Sequence, residues 1–120
     1  MTSHYQQHYA DAEFLIILSY GVPIGRLYVA RWKDEMRIVD ISLLPQYRNA
    51  GIGTKILRDL MAEAEAADKS IRIHVEKFNP ALRLYEGLGF TAIEDKGVYL
   101  FLEWSAERSG GSVPVLTVKE

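Results

Sequence analysis

Between Leu44 and Ile52 the apolar pattern of the chain changes period, from two residues to about 3.6. A chain that makes this change must leave a sheet and enter a helix there, which restricts it to folds that mix the two. Upstream, residues 13–20 hold a continuous apolar run, the pattern of a strand covered on both faces. Residues 24–32 alternate Gly25, Leu27 and Val29 with Arg26, Tyr28 and Ala30, and residues 36–44 form a third strand. The short polar turns between them predict an antiparallel meander. Pro45 ends the third strand because it has no N–H to give the ladder.

Downstream, Ile52, Ile56, Leu57, Leu60, Met61, Ala64 and Ala67 fall on one stripe, predicting an amphipathic helix of about four turns. Residues 70–75 alternate again, with Ile71, Ile73 and Val75 inward, so they read as a strand reached by a right-handed crossover. Asn79 suits an N-cap and Pro80 a first helical residue. The short helix carrying Leu82, Leu84 and Tyr85 stops at Gly87 and Gly89. Residues 90–95 and 98–104 then form a hairpin about Lys96-Gly97. The predicted order is βββ-α-β-α-ββ, a mixed α/β domain spanning residues 1–104, with residues 105–120 as a flexible tail.

Charge and composition narrow the function. The formal net charge is −2, from 14 Lys and Arg against 16 Asp and Glu, which argues against a non-specific nucleic-acid binder. The chain has no cysteine, so thiolate zinc sites, disulfides and a Cys nucleophile are excluded, and no metal is expected. The apolar run Phe14 to Leu18 is too short to span a bilayer, and the N-terminus lacks the layout of a signal peptide. The expectation is a soluble cytoplasmic protein.

The segment QYRNAGIGTKIL sets Gly51 and Gly53 at the start of the long helix, where glycine costs about 1 kcal/mol against Ala in a helix interior. Either the turn needs them or something approaches the backbone closely. A dinucleotide fold needs a third glycine where Ile56 stands, and the Gly-Lys-Ser/Thr order of a P-loop is missing. Arg48-x-x-Gly51-x-Gly53 between a strand and a helix does suit a pyrophosphate lying on bare amides at a helix start.

A second segment bears on the same question. LLPQYRNAGIGTKIL followed by HVEKFNPALRLYEGLGF resembles the acyl-coenzyme A site of the GNAT N-acetyltransferases, a likeness running over residues 14–104. The resemblance implies a GNAT-like acyl-CoA N-acyltransferase fold that transfers acetyl from acetyl-CoA to a primary amine by direct attack in a ternary complex. By position, the backbone around Asn49, Ala50, Gly51, Ile52, Gly53 and Thr54, with Arg48, would hold the pyrophosphate. Ile41, Ser42 and Leu43 would pair with the pantetheine arm, and one of their amides would polarise the thioester carbonyl. Asn79 would contact the pantetheine or cysteamine region, and Tyr85 would protonate the leaving thiolate. A phenol near pKa 10 gives its proton to a thiolate whose acid is near 8.5 at a cost of about 2 kcal/mol.

An amine of pKa about 10.4 is neutral at pH 7 in only about one molecule in 2,500, so the acceptor needs a base. Asp40, His74 and Glu76 are the candidates, with a water chain to solvent as the alternative. The family pattern begins with a further strand and two helices, for which only 13 residues precede Phe14. A shortened domain is therefore implied, with an exposed apolar edge at Phe14 to Tyr20 and a homo-oligomer, a dimer, that covers it. A CoA-binding or interaction module with an incomplete acceptor site is the alternative function.

Overall fold

The computed structural model describes residues 12–106. They form one six-stranded sheet with strands β1 (Ala12–Ser19), β2 (Val22–Arg31), β3 (Glu35–Leu43), β4 (Ser70–Glu76), β5 (Thr91–Asp95) and β6 (Tyr99–Trp104). Helix α1 (Ile52–Ala66) joins β3 to β4, and α2 (Leu82–Gly87) joins β4 to β5. The element order is the one expected from the period changes. The order across the sheet is β1-β2-β3-β4-β6-β5, so the last strand slots between β4 and β5. Only β3 and β4 run parallel, as a helical crossover requires.

Both helices belong to one apolar core built on a single face of the sheet. Leu27, Val29, Met36, Ile38, Ile71, Ile73, Val75 and Leu102 meet Leu57, Leu60, Met61 and Ala64 of α1, together with Tyr85 and Phe90 around α2. This is the helical stripe read from the sequence, with Ile56 partly buried against it, less Ile52 and less Ala67, which caps α1 and lies exposed. Arg31 ties the sheet edge to α1 by ion pairs with Glu13 and Glu63.

On the opposite face, Arg72 joins Glu35 at 3.1 Å and Glu103 at 2.8 Å, and Arg37 joins Glu35 at 2.7 Å. The Arg37 guanidinium lies 5.0 Å from the Trp32 ring centre and 4.9 Å from that of Phe101.

Two local expectations are corrected. The first strand is not covered on both faces: β1 is an edge, and Phe14, Ile16 and Leu18 are 55–59% exposed. Only Leu15 and Ile17 turn to the core, because both helices pack on one side. The second helix begins at Leu82, not Pro80. Asn79 caps a preceding turn, its Oδ1 accepting the Ala81 N–H at 2.8 Å and its carbonyl accepting the Leu82 N–H at 2.9 Å. Residues 1–11, and the expected tail from residue 107 on, lie outside the described residues.

One irregularity positions everything that follows. β3 pairs with β4 only from Glu35↔Ser70 to Ile38↔Ile73. Beyond that row β3 still pairs with β2 as far as Leu43, and β4 still pairs with β6 as far as Glu76. The two strands therefore part into a wedge that opens toward their C-terminal ends. A bulge sits at the point of parting: Val29 faces Ile38 while Tyr28 faces Asp40, leaving Val39 as the extra residue. A bulge bends its strand and increases twist, which turns β3 out of register with β4. Past the bulge β3 is held tightly to β2, where a Cβ added to Gly25 would sit 2.2 Å from the Ser42 carbonyl oxygen.

Candidate functional site

The wedge is lined on the β3 side by backbone. Ser42 O faces Gly25 and the Leu44 N–H donates to Ile24 O at 2.8 Å, so the even-numbered residues spend their polar groups on β2. By alternation the groups of Ile41 and Leu43 face the wedge. Leu43 O already accepts Arg48 Nε at 3.0 Å. Of the three residues assigned to a pantetheine arm, Ile41 and Leu43 can pair across the gap and Ser42 cannot do so through its backbone.

From Leu44 a 3₁₀ turn, Pro45–Tyr47, leads to the start of α1. Asn49 has φ 61° and Gly51 has φ 83°, both left-handed. Asn tolerates that region and glycine adopts it freely, so this part of the motif is turn geometry. Gly53 is different. Its φ is not left-handed, and an added Cβ would find Leu84 Cδ2 at 3.8 Å and Leu43 Cδ1 at 4.0 Å, ordinary contact distances. Nothing in the chain itself requires glycine there.

The first intrahelical bond is Lys55 N–H to Gly51 O at 3.0 Å, and no side chain caps the helix. The amides of Ile52, Gly53 and Thr54 thus have no intrahelical acceptor and lie at the positive end of a 15-residue helix. Ala50 and Arg48 are exposed beside them. Arg48 braces the turn against β3 through its bond to Leu43 O.

Tyr85 of α2 is 5% exposed and packs edge-on against Phe90 at 5.5 Å. Among the described residues its hydroxyl makes no hydrogen bond, an uncommon state for a buried phenol. Burial first, and then the charge of Asp40, push its pKa up to about 12. Asp40, on β3 just past the last row paired with β4, is thus close enough to act on the phenol. The modest gap expected from free values therefore widens to about 3.5 units against a free thiol, or about 4.8 kcal/mol. A thiolate formed in the same dry place is raised by the same burial, which narrows it again.

The base candidates all stand on the helix-free face, flanking the wedge. Asp40 is ion-paired to Arg26 at 2.6 Å. His74 is the first β4 residue past the last β3 pair, and it stacks on Phe101 at 4.4 Å with rings 19° apart. Partial burial, then the positive charges of Arg37 and Lys96, lower its pKa, with Glu94 opposing. Glu76 lies two residues further out, and its carbonyl accepts the Asn79 N–H at 3.0 Å. Arg26 and Phe101 were not legible as site residues, since each acts through a cross-strand neighbour that only the register supplies.

Among the described residues no group of three or more His, Cys, Asp and Glu side chains is placed to hold a metal, and no helix is long and apolar enough to cross a membrane.

Comparison with known proteins follows this geometry. The profile of the acetyltransferase (GNAT) domain matches residues 10–92. The PaiA N-acetyltransferase of Thermoplasma acidophilum, solved with coenzyme A, superposes with TM-score 0.71 at 20% identity, over 79% of this chain. This chain spans 61% of the length of that protein. A GNAT family acetyltransferase from Elizabethkingia anophelis with acetyl-CoA bound gives TM-score 0.72 at 18% identity, over 88% of this chain and 83% of its own. The ribosomal-protein-S18-alanine N-acetyltransferase of Escherichia coli gives 0.69 at 19%, over 84% and 72%. At these identities the likeness is one of fold. No curated protein matches the sequence significantly.

The raised pKa of Tyr85 has a thermodynamic signature. The fold keeps the phenol protonated up to about 12, while the unfolded chain releases the proton near 10. The associated stability is complete below pH 10 and is lost as pH rises through the folded value, by about 2.7 kcal/mol for about two units. Urea titrations at successive pH values should show the unfolding free energy of the wild type falling by that amount relative to Tyr85→Phe.

Proposed function

The chain belongs to the GNAT acetyltransferase family, and from that premise we propose that it transfers the acetyl group of acetyl-CoA to a primary amine in a ternary complex. The observation that carries this reading is the parting of β3 and β4 beside the uncapped start of α1, with the buried phenol of Tyr85 within electrostatic reach of Asp40 on β3. The cosubstrate supplies an activated thioester. The chain supplies its binding and the movement of two protons.

In this reading the amides of Gly51, Ile52, Gly53 and Thr54, with Arg48, hold the pyrophosphate, and the dipole of α1 adds to their attraction. The Ile41 and Leu43 backbone pairs with the pantetheine arm as a neighbouring strand would, and one amide polarises the thioester carbonyl. Asn79 keeps its Oδ1 on Ala81 and offers its NH2 group to the arm.

The amine attacks from the helix-free face, a C–N bond forms, and the C–S bond breaks. Tyr85 Oη gives its proton to the departing sulfur. Its raised pKa guarantees that it carries that proton at neutral pH. His74 takes the proton released by the amine. Asp40 is a poorer base because Arg26 already neutralises it, and the lowered pKa keeps the imidazole of His74 neutral and able to accept.

Self-association belongs to the same reading. β1 offers an open edge with an apolar row of Phe14, Ile16 and Leu18, and two such edges laid antiparallel complement each other.

The proposal is tested by thiol release from acetyl-CoA over a panel of primary amines, with Tyr85→Phe expected to lower kcat by about 10²-fold. Absence of both turnover and a thermal shift with acetyl-CoA would sink it. Gly53→Ala should keep or raise the melting temperature, since alanine fits and favours the helix by up to about 1 kcal/mol. It should nevertheless weaken CoA binding about tenfold or more in calorimetry, because the methyl group occupies the approach to the amides. His74→Gln should abolish the acidic limb of the pH–rate profile. In the wild type that limb falls below the ordinary imidazole value of about 6.5, because the neutral form persists to lower pH. Light scattering should give twice the 13.6 kDa chain mass, and Ile16→Lys should return the chain to a monomer.

A further inference from the structure

His74 stands beside a gap in the sheet. On β6 its partner is Phe101, but pairing with β3 stops one row earlier, at Ile38↔Ile73, and the next β3 residue is the bulged Val39. No β3 side chain in register therefore backs the imidazole. The residue is exposed, and among the described residues neither ring nitrogen makes a hydrogen bond. A base must be held within reach of the proton it takes, so what orients this ring bears on the transfer.

Arg37 is the last β3 side chain on this face before the bulge. Its guanidinium is only 15% exposed, and its Nε donates to Glu35 at 2.7 Å. The same group lies 5.0 Å from the Trp32 ring centre and 4.9 Å from that of Phe101, so one planar cation meets two rings. His74 then stacks on Phe101 at 4.4 Å with the rings 19° apart. Trp32, Arg37, Phe101 and His74 thus run in contact from the β2–β3 turn to the edge of the wedge. Neutralising Glu35 does not require this arrangement, since Arg72 already joins Glu35 at 3.1 Å. A guanidinium stacks flat on aromatic faces, which an ammonium does not.

We propose that Arg37 is a positioning residue for the acyl transfer: held between Trp32 and Phe101, it steadies the ring on which His74 stacks and so keeps the imidazole at the edge of the gap. The inference rests on the reading of His74 as the base and adds the group that sets it in place. Charge acts in the same direction. Arg37 is one position back from His74 along this face and its counter-ion Glu35 is two, so the cation is felt more strongly. After partial burial, Arg37 and then Lys96 lower the imidazole pKa, and Glu94 opposes them from β5. Arg72 and Glu76 share the face on β4, Tyr99 and Glu103 on β6, and Asp40 stands past the bulge on β3. Arg72 is held by Glu35 and Glu103, and Asp40 by Arg26, so these charges offset one another locally.

The test follows the imidazole by NMR beside the pH–rate profile, with His74→Gln identifying its signal among the three histidines. In the wild type the His74 ring protons should show the upfield displacement of a ring stacked on phenylalanine. Arg37→Gln should reduce that displacement, raise the His74 midpoint toward the ordinary imidazole value of about 6.5, and carry the acidic limb of kcat with it. It should lower the plateau kcat about tenfold and leave KM for acetyl-CoA within about twofold. Arg37→Lys should keep the midpoint near that of the wild type, because the charge remains, and still lose plateau rate, because the stack does not. Phe101→Leu should lose both the upfield displacement and the plateau rate, and it decides the matter if melting curves show that Arg37→Gln does not fold. If Arg37→Gln leaves midpoint and limb in place, or Phe101→Leu keeps the full plateau rate, the inference is overturned while the transfer reading stands. If the wild type itself shows no turnover, the transfer reading falls and this inference with it.

Discussion

β3 and β4 share four paired rows and then separate, and the site depends on that separation. Parallel strands joined by a helix ordinarily stay in register along their shared length. Here the extra residue at Val39 bends β3 while close packing at Gly25 holds it on β2, so the bend is resolved on the β4 side. Two lengths of backbone are left with unspent hydrogen-bonding groups in the middle of a sheet. Such groups are costly if buried without partners and need water or another chain to pair with them. The amide cradle at α1 and the phenol of Tyr85 border the same gap.

Electrostatics then divide the labour between the two faces. On the core side Tyr85 is dry and close to the negative charge of Asp40, and both effects hold its proton in place. On the open side His74 sits against Phe101 near Arg37 and Lys96, and both effects keep a proton off it. Arg26 neutralises Asp40 from the adjacent strand. The two groups are thus pushed in opposite directions, the phenol toward its protonated form and the imidazole toward its neutral one.

Several parts of this arrangement were legible from the chain. The stripe from Ile52 to Ala64 is helical because its apolar residues recur at the helical period. The turn at Asn49 and Gly51 is left-handed because those residues tolerate it best. The pairing of Arg48-x-x-Gly51-x-Gly53 with Asn79 and Tyr85 carried the resemblance to the family whose profile the chain matches. The apolar run at Phe14 to Leu18 misled in one respect. Continuous hydrophobicity suggests cover on both faces, yet both helices pack on one side and leave Phe14, Ile16 and Leu18 exposed. The start of α2 was misplaced because Asn79 caps a turn rather than the helix itself.

Local chemistry, read from the sequence alone, determined the elements, their order and the glycine-bearing turn before α1. Each depends on residues close together in the chain: period, proline, glycine and cap. The tertiary structure alone decided where the last strand inserts, where β3 and β4 part, and what stands beside Asp40 and His74. Those outcomes rest on register between strands distant in sequence. A one-residue bulge at Val39 shifts every later side chain to its face, and a cross-strand arginine or phenylalanine sets the charge of a neighbour. Hydrophobic period fixes which face of a strand is buried, but only pairing fixes what stands beside it.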